Sequence, residues 1–378
     1  MKKLILTAFI TLISLLILSP SYATAQDEVS DAEIKYKAEI LELEVESCPE
    51  GYPEGDCFFF DLEIIEGDKN NQQVKSIMPK QDDPKLDSLN YKKGQKVYIV
   101  ETQIADEAQY YVKEPIRKRP LILLTILFIL AAVLVGGIQG VTSLLGLLIS
   151  FIILIVLVIP MMLSGASPIM ASIIGGSIIM TISVYLSHGF NRKTSIALMG
   201  TLISLILTAL LALVFTNISR LTGFSSDEAT FLIQLVDTEL NMKGILLASL
   251  IIGGIGILDD ITVSQVSTIM ELFKANPSFT WQELLKRSMK VGRDHIASMI
   301  NTLVLAYTGS ALPLVMLFIA TGSSFEEIIN VEQVSEEIVR TLVGSIGLIM
   351  AVPITSLLAC IIIAGKSVQN QQRRIPMR

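Results

Sequence analysis

Two adjacent carboxylates stand inside an otherwise apolar stretch, Gly253-Gly254-Ile255-Gly256-Ile257-Leu258-Asp259-Asp260-Ile261-Thr262-Val263-Ser264-Gln265. Ionisable groups at membrane depth are costly and persist where they face a cavity, a partner or an ion. The chemistry open to such a pair is the binding and release of a proton or a cation. Three glycines precede the pair, and glycine permits a break in the helix or a close approach by a neighbour. The sequence therefore predicts a helix break at Gly253, Gly254 and Gly256, presenting carbonyls and carboxylates near the midplane. Adjacent helical residues point about 100° apart, so the two acids are expected on different faces. Asp260 aligns with Ser264 and Ser267, and Asp259 with Thr262 and Val263. One carboxylate would then line a pathway while the other holds a neighbouring helix. The competing reading places both at the inner interface, solvated, as the polar run from Thr262 to Thr268 allows.

A second set of polar residues opens the next apolar span. Asp294 and His295 are followed by Ser298, Asn301, Thr302 and Tyr307, and then by Pro313. Ser298 shares a helical stripe with His295 and Thr302, and part of one with Asp294 and Asn301. Such a stripe glues helices together or lines a route. An imidazole both takes up and gives up protons, so His295 suits a proton relay, or else anchors the helix at the interface. In the last span Gly344, Gly347, Pro353, Thr355 and Ser356 predict close packing and a kink at Pro353.

Enzyme chemistry is not indicated. Adjacent acids on one helix do not converge on a scissile bond as an aspartyl protease requires. With only two histidines and no His-Glu-x-x-His, no metal site is expected. The methionines, Met161, Met162, Met170 and Met180 among them, read as packing. No cofactor is implied. A nucleic-acid binder would need a dense basic face, and this chain of net charge −7 has none.

The elements that must position these residues are membrane helices. Hydrophobic residues make up 51% of the chain and charged ones 17%, against about a quarter charged in soluble domains. The deficit falls almost wholly after Pro120. Seven spans are expected, near Leu121–Val135, Leu144–Met162, Ile169–Ser187, Ile196–Thr216, Ile245–Ser264, Ile296–Ala320 and Leu342–Ala364, several matching the roughly 20 apolar residues a bilayer needs. The segment from Glu271 to Arg293 carries Trp281, Leu284, Leu285 and Met289 opposite Lys286, Arg287 and Lys290. It reads as an amphipathic helix on the membrane surface or as a helical hairpin packed on the bundle.

Residues 1–25 read as a signal peptide: Lys2 and Lys3, an apolar run from Leu4 to Leu18, then Ala23-Thr24-Ala25 before Gln26. An uncleaved anchor is the alternative, and either places residue 26 outside the cytosol. Basic residues agree, with Arg192, Lys193, Lys274, Lys286, Arg287, Lys290 and Arg293 on the inner side together with a cytoplasmic tail at 367–378. Arg117, Lys118 and Arg119 run against the count.

Residues 26–119 form an extracytosolic head. Leu41, Leu43 and Val45 alternate with Glu42, Glu44 and Glu46, and Phe60, Leu62 and Ile64 with Asp61 and Glu63, as half-buried strands do. About five short strands predict a small antiparallel barrel or sandwich, serving as a binding domain or as an assembly cap. An oxidising compartment permits a Cys48–Cys57 disulfide; two reduced thiols are the alternative.

Several motifs together resemble the YibE/F-like family of bacterial multi-pass membrane proteins. These are Gly256-Ile257-Leu258-Asp259-Asp260-Ile261-Thr262-Val263-Ser264-Gln265, Val291-Gly292-Arg293-Asp294-His295, Asn301-Thr302-Leu303-Val304-Leu305-Ala306-Tyr307, Leu312-Pro313-Leu314, Leu342-Val343-Gly344-Ser345-Ile346-Gly347-Leu348 and Ala351-Val352-Pro353-Ile354-Thr355. In the head, Glu66-Gly67 and Tyr91-Lys92-Lys93-Gly94 follow in the expected order. Gly136-Gly137-Ile138-Gln139-Gly140 looks like a turn of the family that has lost its basic residues. The resemblance implies the same architecture, an α-helical membrane bundle at 120–366 with a β-rich head, in a bacterial cell membrane. It singles out the aspartate and Asp-His motifs and brings no substrate with it.

The expectation is a proton- or cation-coupled transporter whose pathway candidates are Asp259, Asp260, Thr262, Ser264, Gln265, Asp294, His295, Ser298, Asn301, Thr302 and Tyr307. The alternative is a non-transporting envelope assembly or accessory subunit acting through its head. The partners in view are the lipid bilayer and either a second copy of the chain or an envelope protein.

Overall fold

In a computed structural model the described residues are 34–80, 88–104, 107–236 and 239–372. The predicted signal peptide and half of the tail, residues 373–378, lie outside them. The chain divides into two compact units at Ala131/Ala132.

The head is one antiparallel sheet of five strands, β1 (Ile34–Ser47), β2 (Asp56–Glu66), β3 (Gln73–Pro79), β4 (Lys96–Ile104) and β5 (Glu107–Pro115), in the order β3-β2-β1-β4-β5. Strand β1 pairs with both β2 and β4, and the edge strands β3 and β5 approach each other. Alternation in β2 turns Phe58, Phe60, Leu62 and Ile64 inward onto Ala38, Ile40, Val97, Ile99 and Val112. In β1 the expected period is interrupted. A register shift between Ile40 and Glu42 resets the parity, so Ala38 and Ile40 are buried, Leu43 packs at the core's edge and Val45 is 49% exposed. The Cys48–Cys57 disulfide is present and links the ends of β1 and β2. Lys69, in the β2–β3 turn, bonds both oxygens of Glu101 on β4 at 2.6 and 2.7 Å and the Tyr110 hydroxyl on β5 at 3.1 Å.

The second unit is helical. Among the described residues five helices are long and apolar enough to cross a membrane: α1 (Lys118–Leu163), α2 (Pro168–His188), α3 (Arg192–Ile218), α5 (Met242–Ala275) and α9 (Glu332–Gln372, of which Glu332–Ala364 is the candidate span). Short α4 (Asp227–Leu235) follows α3. Helices α6 (Trp281–Ser310) and α7 (Leu312–Ala320) meet at a 63° bend and qualify as a sixth span together; α8 (Phe325–Asn330) precedes α9. The bend falls where Ala311 leaves helical geometry just before Pro313, so the predicted span Ile296–Ala320 is bent.

Helix α1, at 46 residues, exceeds what one crossing requires. It is interrupted at Gly137, whose φ of 56° and ψ of −134° are open mainly to glycine. Residues eight apart in a continuous helix are separated by about 12 Å. Here a Cβ on Gly140 would collide with the Ala132 carbonyl, so the chain doubles back. A π-turn at Leu154–Val158 precedes Pro160.

Helices α3, α5 and α9 form the centre of this unit, and small residues set their spacing. A Cβ on Gly200 would strike Thr355, and one on Gly347 would strike Thr208, so α3 and α9 meet through glycine at two levels. A Cβ on Gly176 would strike Ile255 across α2 and α5. The α5–α6 segment is a helical hairpin: Leu284 is fully buried in a cluster with Val266 and Ile269. At the other end of the bundle Glu332 accepts from the Thr222 backbone and hydroxyl and the Gly223 backbone, and Ser225 donates to Glu336 at 2.6 Å. These bonds fix the loop after α3 to the start of α9.

One expectation fails here. Helix α5 runs unbroken through Gly253, Gly254 and Gly256, as α9 continues through Pro353. Flanking helices hold both elements in register, and a helix tolerates one lost N–H bond when packed among others. The α5 glycines make space instead. A Cβ on Gly253 or Gly256 would meet nothing within 4 Å, and only Gly254 touches a neighbour, Thr208.

Candidate functional site

Asp259 and Asp260 lie near the middle of α5. Residues spaced three or four apart along that helix, Ile252, Gly256, Asp259 with Asp260, Ser264 and Ser267, form one broad stripe. Two cavities open along it. The first, of about 410 Å³, is walled by Ser143, Leu147, Ser150 and Phe151 of α1, by Met180, Ser183 and Ser187 of α2, and by α5. The second, of about 350 Å³, reaches Gln139, Lys193, Ser264 and Ser267. His188, Asp259 and Asp260 line both, so the cavities meet at these three residues.

Both acids therefore face the same space, against the expectation that adjacent residues must part. The 100° between them fits within the groove because the α1 arm and α2 stand away from α5 where Gly256 carries no side chain. Asp260 is exposed to the cavity and Asp259 is half-buried. One oxygen of Asp259 is buried and has no hydrogen-bond partner among the described residues. A buried carboxylate oxygen without a donor calls for a proton, a cation or water.

The other face of α5 holds the helix in place. The Thr262 hydroxyl meets that of Thr201 on α3 at 2.6 Å. Gln265 Nε2 donates to Ser356 Oγ on α9 at 2.8 Å and to the Ser288 carbonyl on α6 at 3.1 Å. Both are buried, so Thr262 and Gln265 position the stripe and do not line the groove. His188 is the last residue of α2 and is set by the turn after it. Asn191 caps α3 by accepting from the Thr194 backbone N–H at 2.9 Å, and its amide donates to the His188 carbonyl at 2.8 Å. Tyr185 stacks on Phe190 across the same turn, with centroids 4.3 Å apart.

Sequence reasoning missed His188. The signal was available: it is one of two histidines in the chain and closes an apolar span just before Gly189. The other histidine, His295, is the more conspicuous in sequence because an acid precedes it. The structure does not bring that second motif to the groove. Asp294, Ser298, Asn301 and Thr302 are exposed on α6 and His295 is half-buried, and none of them lines either cavity. Tyr307 lines a separate, mostly apolar space between α6, α7 and α9, alongside Glu337 and Thr341. Among the described residues no three His, Cys, Asp or Glu side chains converge as a metal-binding group.

A bundle of long apolar helices with polar groups lining a cavity between α1, α2 and α5, joined to a β-sheet domain, defines a helical membrane protein. The chain belongs to the family of YibE/F-like proteins, whose family model matches residues 124–365 and so takes in the groove and every span from α1 to α9. No match to a curated protein or to a solved structure was found.

Proposed function

We propose that this protein is a proton- or cation-coupled transporter in which Asp259 and Asp260 carry the coupling ion. The observation that supports this reading is the buried, unpartnered oxygen of Asp259 at the junction of two polar-lined cavities. The hydroxyls of Ser143, Ser150, Ser183 and Ser187 give a route for water or an ion along the first cavity, and Ser264 and Ser267 along the second. His188, beside the acids, is suited to pass a proton between them.

The finer architecture follows from the same reading. The two arms of α1 on either side of Gly137 count as two crossings and α6 with α7 as one, giving seven. A cleaved signal peptide at 1–25 and a closed five-stranded barrel outside the cytosol complete it. The Gly137 turn, the α2–α3 turn with Lys193, the α5–α6 turn with Lys274 and the tail then share the cytoplasmic side of a bacterial cell membrane. The second cavity becomes an inner vestibule, and the acids stand at its inner limit, nearer the cytoplasmic surface than the midplane.

The test is ion and proton flux in proteoliposomes under imposed gradients. Asp259→Asn and Asp260→Asn are each expected to lower flux by about tenfold or more while the protein stays folded. Unchanged flux in both variants would remove the proposal. The self-contained core of the head favours a second reading, an envelope assembly subunit that transports nothing. Stable capture of an envelope protein through the head, with no flux under any gradient, would establish it.

A further inference from the structure

Helix α6 carries its polar residues on the wrong side for the groove, and that placement has its own meaning. The inward face of α6 is fixed by the buried residues Leu284, Ser288, Gly292 and Leu303. At 100° per residue Asn301 lies about 180° from Gly292, facing directly away from the bundle. Asp294, Ala297, Ser298, Leu305 and Thr308 flank it on the same side, and all are exposed; Leu305 is 65% exposed. The Thr302 hydroxyl is satisfied by the Ser298 carbonyl at 3.0 Å, but the Asn301 amide has no hydrogen-bond partner among the described residues. An amide aimed into hydrocarbon is disfavoured, and a stripe of this kind in a membrane helix is covered by another helix.

We propose that the cover is the same helix of a second copy of this chain, the two α6 helices running parallel about a two-fold axis along the membrane normal. Charge complementarity selects this occupant. Arg293 and Asp294 are both exposed, and neither has an ion-pair partner among the described residues. They stand on opposite flanks of the Asn301 line, at nearly the same depth. A parallel two-fold pairing lays the Arg293 flank of one copy on the Asp294 flank of the other and makes the contact twice. An asparagine amide both donates and accepts, so Asn301 pairs with itself across the axis. Ala297 and Ser298 are small enough to let the backbones approach, and Leu305 packs below them. A partner of different sequence would need an acid and a base at the one level and an amide at the other.

The experiment uses the full chain in its native membrane, with Cys360→Ala to remove the one free cysteine among the described residues. Asn301→Cys is expected to form a disulfide-linked dimer on mild oxidation. Ile206→Cys, 60% exposed on α3, is expected to remain monomeric. Arg293→Asp alone is expected to lower dimer yield by about tenfold through like-charge contact, and Arg293→Asp combined with Asp294→Arg to restore it. Equal cross-linking at Asn301→Cys and Ile206→Cys, a monomer in single-molecule counting of the unmodified protein, or a double reversal that fails to recover while still folded would each overturn the proposal. Cross-linking of Asn301→Cys to a different protein would do the same.

Discussion

Helices α5 and α6 are neighbours that each carry polar residues within an apolar stretch, yet they dispose of them in opposite ways. On α5 the chain satisfies part of the set itself, through Thr262 with Thr201 and Gln265 with Ser356 and Ser288, and turns the rest into a cavity that other helices of the same chain enclose. On α6 the inward face is plain packing and the polar residues point outward. Polarity inside a hydrophobic span thus signals that something meets the residue, without saying whether it is the chain's own helix, a cavity or another molecule. Only the position of the neighbouring helices separates these cases.

The largest expected effect tests whether the α5 side of the comparison depends on close approach. Gly200 sits where a Cβ would strike Thr355, whereas Gly256 borders open space. Gly200→Val should destabilise the bundle by about 3 kcal/mol or more, because the Thr355 side chain it would strike is fully buried with no room to turn aside. Gly256→Ala should leave stability unchanged within about 0.5 kcal/mol and act only by narrowing the groove. Unfolding in bicelles, followed with a trap on the unfolded state, would read both. Equal losses would mean that Gly256 also serves packing.

A smaller effect sharpens the contrast directly. Gln265→Leu removes two interhelical bonds and should cost about 1–2 kcal/mol. Asn301→Leu removes none within the chain, so in dilute detergent, where association does not contribute, its cost should stay within about 0.5 kcal/mol. If Asn301→Leu destabilised the isolated chain as much as Gln265→Leu does, the outward placement of Asn301 would be wrong.

These contrasts show where the sequence was legible and where it was not. Strand positions in the head followed from alternation, except at β1, where a bulge near Leu41 moved the parity and no residue type announced it. The Cys48–Cys57 bridge was open to inference from an oxidising compartment and two thiols close in sequence. The Gly136-Gly137 turn was legible as a glycine-rich break between two apolar runs, and glycine takes the positive φ that Gly137 adopts. Asp259 and Asp260 stood out because charge is rare at that depth, but their shared cavity did not. Two vectors 100° apart converge on one space only if the opposing wall is wide, and that width is set by α1 and α2, more than 70 residues earlier in the chain. The glycines were misread for a related reason: glycine permits a break and permits a gap, and sequence does not distinguish them. His188 escaped notice because its partners are far from it along the chain.

The smallest prediction extends the comparison to the head, where Lys69 is the counterpart of Gln265: a polar group satisfied by its own chain. Its hydrogen bonds to Glu101 and then to Tyr110 hold the ammonium pKa above the ordinary lysine value. Nearby Tyr36 is also raised, first by burial and then by the Glu101 charge. For Lys69 the raised value means that its contribution is fully present below the unfolded pKa, about 10.4, and is lost as pH rises through the folded value. Tyr36 has the same sign, since above about pH 10 the unfolded phenol ionises first and draws the equilibrium toward the unfolded chain. The head's denaturation midpoint, followed in the intact protein through the methyl resonances of Ile40, Ile64 and Ile99, should therefore be level at neutral pH and fall above about pH 10. Lys69→Met should lower the midpoint at neutral pH and flatten its fall in alkali. A midpoint as steep in the variant as in the parent would show that Lys69 is solvated like any surface lysine. Its bonds to Glu101 and Tyr110 would then not be the self-satisfied polar contact that sets the head and α5 apart from α6.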